Sequence, residues 1–301
     1  MKIPITFLGT ASTVPTETRN HMAILLSYKE EHILVDCGEG TQRQFRKAKI
    51  NMNQITRILL THLHGDHTFG LPGLFHTLAL NNYSKTLYIY GPKGTKVFID
   101  KMVNLFAKNK NITYEVKEVN GKFLETKDFT LTAVPLDHET PCNGYLFEEK
   151  DKLRINKEKL KKLRIPEKTP ELVKLTQGKN IKLNNKTLNY KTITYKQKGK
   201  KISFVFDTRL CPNVKKLGKV DLAIIESTFL EDSPNGKNLA KEYYHLTAKQ
   251  AAQIAKQGKA KRLALTHLSQ RYEKAEDLIL SEAKKVFKET VLAKDLMTLE
   301  V

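Results

Sequence analysis

The sequence has only three cysteines, Cys37, Cys142 and Cys211, too few and too scattered for a disulfide framework or a paired-cysteine metal knuckle. It also lacks any long apolar stretch. Its hydrophobic runs are strand-sized, as in Arg57-Ile-Leu-Leu-Thr61, which predicts no membrane span. The opening Met1-Lys-Ile-Pro-Ile-Thr6 has no apolar run leading to a small-residue cleavage site, so no signal peptide and a cytoplasmic location are expected. Acidic residues are scarce: 32 Asp and Glu face 52 Lys and Arg, a net charge of +20. That excess is more than solubility requires and points to a polyanionic partner, either nucleic acid or an anionic membrane surface. What remains suits a folded protein. Of 301 residues, 40% are hydrophobic and 28% charged, enough for one large core.

The charge is concentrated. Between Lys150 and Lys201 there are 18 basic residues against 4 acidic ones. Leu153, Ile155, Leu160, Leu163 and Ile165 are spaced for one narrow helical stripe, with Pro166 ending any helix. So one-signed a segment repels itself unless an anion lies among its charges. It is therefore expected to be a polyanion-gripping arm inserted at 150–189, with Lys161, Lys162 and Arg164 as candidate contacts to that anion.

Elsewhere a short apolar run repeatedly ends in an ionisable residue. Ile33-Leu-Val35 precedes Asp36, Ile58-Leu-Leu60 precedes Thr61-His62, and Leu131-Thr-Ala-Val134 precedes Asp137-His138. Ile202-Ser-Phe-Val-Phe206 precedes Asp207, Leu222-Ala-Ile-Ile225 precedes Glu226, and Leu263-Ala-Leu265 precedes His267. Such runs are strands buried on both faces, and functional groups at strand ends sit on loops held by a rigid scaffold. Amphipathic stretches over Thr41–Lys49, Thr95–Asn109, Thr247–Gln257 and Lys274–Glu289 predict helices between them. The expectation is an α/β protein with helices outside its sheets, one domain over 1–301 without a second core, and the inserted arm.

The sharpest local signal is His62-Leu-His64-Gly-Asp66-His67. Four ligand-type side chains at 62, 64, 66 and 67 do not share a helical face, but a loop after a strand can turn all four to one point. Imidazole with carboxylate suits zinc or a similar divalent ion better than magnesium. Four ligands so close together imply two ions, each completed from a distant strand end, for which His138, Asp207 and His267 are the candidates. The cysteines are better explained as small buried residues than as ligands.

These residues resemble the metallo-β-lactamase superfamily, whose pattern is an early Asp, His-x-His-x-Asp-His, a single His, a bridging Asp and a final His. Here they are Asp36, the block from His62 to His67, His138, Asp207 and His267, in that order. Within it the chain is similar to the ribonuclease Z family. The narrower marks are Phe7-Leu-Gly-Thr10, Asp36-Cys-Gly-Glu-Gly-Thr-Gln42, His67-Thr-Phe-Gly-Leu-Pro-Gly73, Glu226-Ser-Thr228, His245-Leu-Thr247 and Ser269-Gln-Arg-Tyr272.

The resemblance implies an αββα sandwich, precursor tRNA as partner, a homodimer and two zinc ions per subunit. One zinc would sit on His62, His64 and His138 and the other on Asp66, His67 and His267, with Asp207 bridging. Asp66 would also orient or deprotonate the attacking water, and Asp36 would fix a ligand's orientation. His245 would be the general acid, held by Glu226, and cleavage would leave a tRNA 3′-hydroxyl and a trailer 5′-phosphate. Arg19, Asn20 and Arg271 are further candidate RNA contacts. The loop of Arg19 and Asn20 carries Glu17 where the family usually has a base, and Ile225 stands where it has a His before the acid. Two other readings compete: a superfamily hydrolase of small esters, and a non-enzymatic RNA-binding protein. The first leaves the basic arm unexplained, and the second predicts decayed ligands, whereas all seven are intact.

Overall fold

The computed structural model describes residues 2–107, 112–183 and 186–301. It divides into two compact units, one of residues 1–125, 131–147 and 201–301, the other of 126–130 and 148–200.

The first unit is built on two seven-stranded sheets. Across the first sheet the strands run Thr298–Glu300, Pro4–Gly9, Ala23–Tyr28, Glu31–Val35, Arg57–Leu59, Leu87–Gly91 and Tyr114–Glu118. Across the second they run Thr290–Leu292, Leu263–Thr266, Leu222–Glu226, Lys201–Val205, Cys142–Glu149, Phe129–Leu136 and Gly121–Glu125. The uninterrupted apolar runs form the parallel parts: Glu31–Val35, Arg57–Leu59 and Leu87–Gly91 in one sheet, and Lys201–Val205, Leu222–Glu226 and Leu263–Thr266 in the other. Parallel strands need crossovers, and the crossovers are the helices.

Helices Thr41–Lys47, Leu71–Leu80 and Thr95–Phe106 cover the first sheet, where Phe45, Leu74, Leu78, Ile99 and Met102 join its apolar cluster. Helices Ala248–Gln257 and Glu276–Val286 cover the second, with Ala248, Ala251, Ala252 and Ala255 letting the first of them lie close. Thr247 starts that helix with a capping box shared with Gln250. The inner faces meet through Tyr28 and Phe147, 5.3 Å apart edge to face, and through Tyr145, whose hydroxyl donates to the Leu60 carbonyl at 2.6 Å. This is the αββα sandwich. The helices stop short of the expected ends, at Lys47, Phe106 and Val286, and the last starts at Glu276; Asn109 lies outside the described residues.

The second unit has a core of its own, against the expectation of a single core. Leu160, Leu172, Leu175, Ile181, Leu188 and Ile193 are buried together. The single stripe is also corrected. Lys152-Leu-Arg-Ile155 alternates with a period of two, and forms a strand paired antiparallel with Thr194–Gln197. The Asn156 side chain accepts from Lys159 N and opens a separate helix, Lys157–Lys162. Leu163 is left exposed, and Arg164 turns the chain at φ 56° before Pro166 is reached.

Candidate metal centre

His62, His138, Asp207 and His267 stand within a few residues of strand ends of the two sheets, and His64 follows on the same loop as His62. Asp66 and His67 instead sit on a short helix, Gly65–Thr68, and not on the loop expected for the whole block. Asp36, Asp207 and His267 hold the left-handed backbone, at φ 58°, 42° and 57°. Non-glycine residues seldom adopt it, and here it swings each side chain off the strand's line toward a common point. The loop of Asp36 lies directly against the ligand loop. A Cβ on Gly38 would sit 2.4 Å from the Asp66 carbonyl, so the approach requires glycine.

The ligand-type atoms fall into neighbouring groups. His62, His64 and His138 form one, and Asp66, His67, Asp207 and His267 another, each with donor atoms within 4.8 Å of one another. The Asp207 carboxylate faces both. Its Oδ2 lies 3.6 Å from His62 Nε2, while its Oδ1 lies 3.4 Å from His67 Nε2 and 3.3 Å from His267 Nε2. Asp66 Oδ2 completes the second group at 3.3 Å from His67 Nε2 and 3.5 Å from His267 Nε2.

The opposite nitrogens are tied down. Asp36, wholly buried, accepts from His67 Nδ1 at 2.7 Å and from the Thr61 backbone N–H and hydroxyl at 2.7 and 2.8 Å. Nδ1 of His62 lies 3.1 Å from the Thr61 hydroxyl, and Nδ1 of His138 donates to the Tyr244 carbonyl at 3.2 Å. Nδ1 of His267 donates to the Thr228 hydroxyl at 2.9 Å. These bonds fix the tautomers of the four rings and leave their Nε2 atoms facing the centre, whereas His64 presents Nδ1, 3.3 Å from His138 Nε2. Thr61 and Thr228 were not singled out from sequence as holders of the rings; the signals they carry are a position beside His62 for Thr61 and membership of the Glu226-Ser-Thr228 mark for Thr228.

The residues present fit metal. His62 Nε2, Asp66 Oδ2 and Asp207 Oδ1 are buried without a hydrogen-bond partner, a costly arrangement that cations would resolve. Burial, followed by the neighbouring His67, pushes the His62 imidazole well below its ordinary value, keeping it neutral as a ligand must be. Burial alone would raise the Asp66 and Asp207 carboxyls, yet the imidazoles around them hold both well below the usual carboxylate range. Conversely, Asp207, Asp66 and Asp36 outweigh the effect of burial on His67 and raise it well above an ordinary imidazole, the mark of a site with surplus negative charge. No cysteine joins a ligand group among the described residues, and burial lifts the Cys37 thiol to about 12.

Beside the metal groups stands a proton-carrying pair. His245 Nδ1 donates to Glu226 at 3.0 Å, and Glu226, wholly buried, also accepts from Thr208 N at 2.7 Å and the Thr228 hydroxyl at 2.6 Å. Burial opposes charge on His245, but Glu226 outweighs it and lifts the imidazole to about 9. A cleft of about 430 Å³ opens onto this edge, lined by His64, Asp66, His138, Asp207 and His245 together with His21, Phe69 and Tyr243.

The candidate RNA contacts divide. Arg271, Lys161, Lys162 and Arg164 are exposed, with the Arg271 guanidinium 5.7 Å from the Phe229 ring. Asn20 is half-buried and donates to the Glu39 carbonyl at 2.6 Å. Arg19 is corrected. It is 3% exposed, its Nε donates to Glu276 at 2.6 Å and its Nη1 to the Thr10 hydroxyl at 2.6 Å and the Ala293 carbonyl at 2.7 Å, while Nη2 is buried without a partner. It braces the loop from within.

Two sheets between helices, with histidines and aspartates gathered at one edge, define a metal-dependent protein of the metallo-β-lactamase fold. Bacillus subtilis YhfI, a metallo-β-lactamase fold protein, superposes with a TM-score of 0.70 at 19% identity, all of each chain being covered. The Anti-Pycsar protein Apyc1 family matches residues 3–139. The chain is 39% identical over 300 residues to ribonuclease Z of Methanothermobacter thermautotrophicus, covering 99% of this chain and 96% of that one. It is 36% identical over 304 residues to ribonuclease Z of Bacillus licheniformis, covering 98% of each. Human tRNase Z, short form, superposes with a TM-score of 0.70 at 29% identity, covering 98% of each chain. The chain belongs to the ribonuclease Z family.

Proposed function

We propose that the chain is a zinc-dependent endoribonuclease that removes the 3′ trailer from precursor tRNA, with His62, His64 and His138 around one zinc, Asp66, His67 and His267 around the other, and Asp207 shared. Membership of the ribonuclease Z family makes it a metal-dependent hydrolase of RNA phosphodiester bonds. The observation that carries the finer reading is the Asp207 carboxylate, whose two oxygens face different ligand groups. A zinc pair supplies two things in such a site: activation of water near neutral pH, and charge that stabilises the attacking and leaving oxygens of an in-line displacement.

The protein's own groups do the rest. Asp66 orients the attacking water and takes its proton. The leaving group is a ribose 3′-oxygen, poor unless protonated, and the His245 Nε2–H delivers that proton while Glu226 holds the ring by Nδ1. Cleavage then leaves the tRNA with a 3′-hydroxyl and the trailer with a 5′-phosphate. The exposed basic side chains of the 148–200 unit contribute sequence-independent phosphate contacts. A second copy of the chain completes the assembly. Leu80, Val97, Leu105 and Phe106, exposed on the neighbouring helices Leu71–Leu80 and Thr95–Phe106, offer it an apolar face. Action in the cytoplasm belongs to the same reading, and no helix among the described residues is long and apolar enough to cross a membrane.

The test is incubation with precursor tRNAs, with and without an encoded CCA, followed by mapping of both new ends. One cut near the mature 3′ end with the stated termini is expected. A 2′,3′-cyclic phosphate on the tRNA side would overturn the mechanism.

A further inference from the structure

We propose that Phe69 and Tyr243 form a nucleobase subsite astride the reaction centre: Tyr243 stacks on the base just before the scissile phosphate, and Phe69 on the first base of the trailer. This rests on the trailer-cleaving reading and adds to it where the unpaired nucleotides are held.

Both rings line the cleft that contains His64, Asp66, His138 and His245, and both are left largely open, Phe69 at 67% and Tyr243 at 51% exposure. Two exposed aromatic rings in one groove beside a reaction centre offer contiguous apolar surface to a ligand. Each ring is fixed from beneath. Phe69 lies on Gly65, in the middle of the ligand loop: a Cβ at Gly65 would stand 2.3 Å from ring carbons Cε2 and Cζ. Glycine at 65 lets the phenyl lie against the backbone between His64 and Asp66 while most of the ring stays exposed. Tyr243 stacks on Phe229 at 6.3 Å and 22° between planes, and the Arg271 guanidinium lies 5.7 Å from that second ring. The result is a short cation–aromatic ladder whose last rung is exposed.

Rigid aromatic faces beside a phosphate-cleaving centre suit unpaired bases. Every base has a π face, so stacking holds a strand without reading its sequence. The assignment of sides follows from the proton. His245 serves the 3′-oxygen that stays with the tRNA, and Tyr243 stands two residues before it, so Tyr243 serves the tRNA-side base. Phe69 adjoins Asp66, the group assigned to the attacking water, so it lies away from the departing 3′-oxygen. With the tRNA side taken by Tyr243, it is assigned to the strand that keeps the phosphate, the trailer.

The experiment pairs protein variants with abasic substrates. Precursor tRNAs lacking the base either just before or just after the scissile phosphate are cleaved by wild type, Phe69→Ala, Phe69→Trp, Phe69→Leu and Tyr243→Ala, and kcat/KM is compared. Equal metal content in each variant confirms an intact centre. Each abasic site should cost wild type roughly 5- to 150-fold, the range of one base–aromatic stack. Phe69→Ala should lose a similar factor on the intact precursor and little more on the trailer-side abasic one, while still paying in full for the tRNA-side gap. Tyr243→Ala should behave the other way round. Trp at 69 should restore activity and Leu should not. Additive losses, crossed coupling, or rescue by Leu as complete as by Trp would overturn the proposal. If wild type fails to cut even the intact precursor, the trailer-cleaving reading falls first, and this subsite with it.

Discussion

As the proposed acid, His245 must enter the reaction carrying a proton, and its surroundings are arranged for that. Burial works against the charge, and Glu226, accepting at 3.0 Å, wins and holds the imidazole up at about 9. Cations bound alongside pull the value down, so turnover should fall on an alkaline limb lying between the ordinary imidazole value and about 9. The sign is fixed because the protonated form is the active one. Glu226→Gln removes the charge that raises His245 and should move the limb to lower pH, a shift that a merely structural role for Glu226 does not produce. His245→Ala should lower kcat on precursor tRNA by roughly 10²- to 10⁴-fold, the usual worth of a positioned acid. A substrate with a nitrophenolate leaving group, which needs no proton, should suffer far less; equal losses on both would contradict the assignment. At this scale most of the site was legible because ligand chemistry is written in side-chain type: a His-x-His-x-Asp-His block has few structural uses. The threonines that hold the rings were not legible, since a hydroxyl has many uses and only geometry shows which one is in force. Arg19 reads differently for a related reason: a cation in a basic protein suggests an anionic ligand, whereas here Glu276 and two oxygens engage its Nε and Nη1 inside the fold.

At the level of elements, the body and the basic unit differed in how far the sequence foretold them. Parallel strands buried on both faces give unbroken apolar runs, so their ends, and hence Asp36, Asp207, Glu226 and His267, could be placed within a residue or two. In the 148–200 unit the elements are three to six residues long, too short for periodicity to separate helix from strand, and lysine stems obscured the six-residue core. That core means the arm is a folded object, and it should be removed as one. Lys150 and Lys200 bracket its base, where the Glu149 N–H donates to the Lys200 carbonyl at 2.8 Å. Replacing residues 151–198 with a short Gly-Ser linker should raise the Kd for precursor tRNA by orders of magnitude, with hydrolysis of a small phosphodiester near wild type. The milder Lys161→Ala, Lys162→Ala, Arg164→Ala triple variant keeps the core and should flatten the log Kd against log salt slope by about 2 to 3. Unchanged affinity and slope in both would make the unit a solvated insertion.

Over the whole molecule, two signals lie apart in the sequence: surplus positive charge in one unit and surplus negative charge at the edge of the two sheets. On the proposed reading the basic segment attracts a polyanion over long range, and the aspartates hold the cations that act on it. Composition announced the first and a six-residue block the second, but neither revealed how seven distant side chains meet, because that depends on sheet order. The central claim is that these seven residues hold two zinc ions that drive tRNA cleavage. Native mass spectrometry of the purified protein, run beside the precursor tRNA assay, tests it most directly. The account predicts two zinc ions per chain in a two-chain assembly, loss of both metal and cleavage on chelation, and return of both together when zinc is restored. Asp207→Ala should lose the pair and at least 10³-fold in cleavage, a floor on the order of what removing one essential catalytic group costs. Full cleavage by metal-free protein, or by Asp207→Ala with no zinc bound, would contradict it.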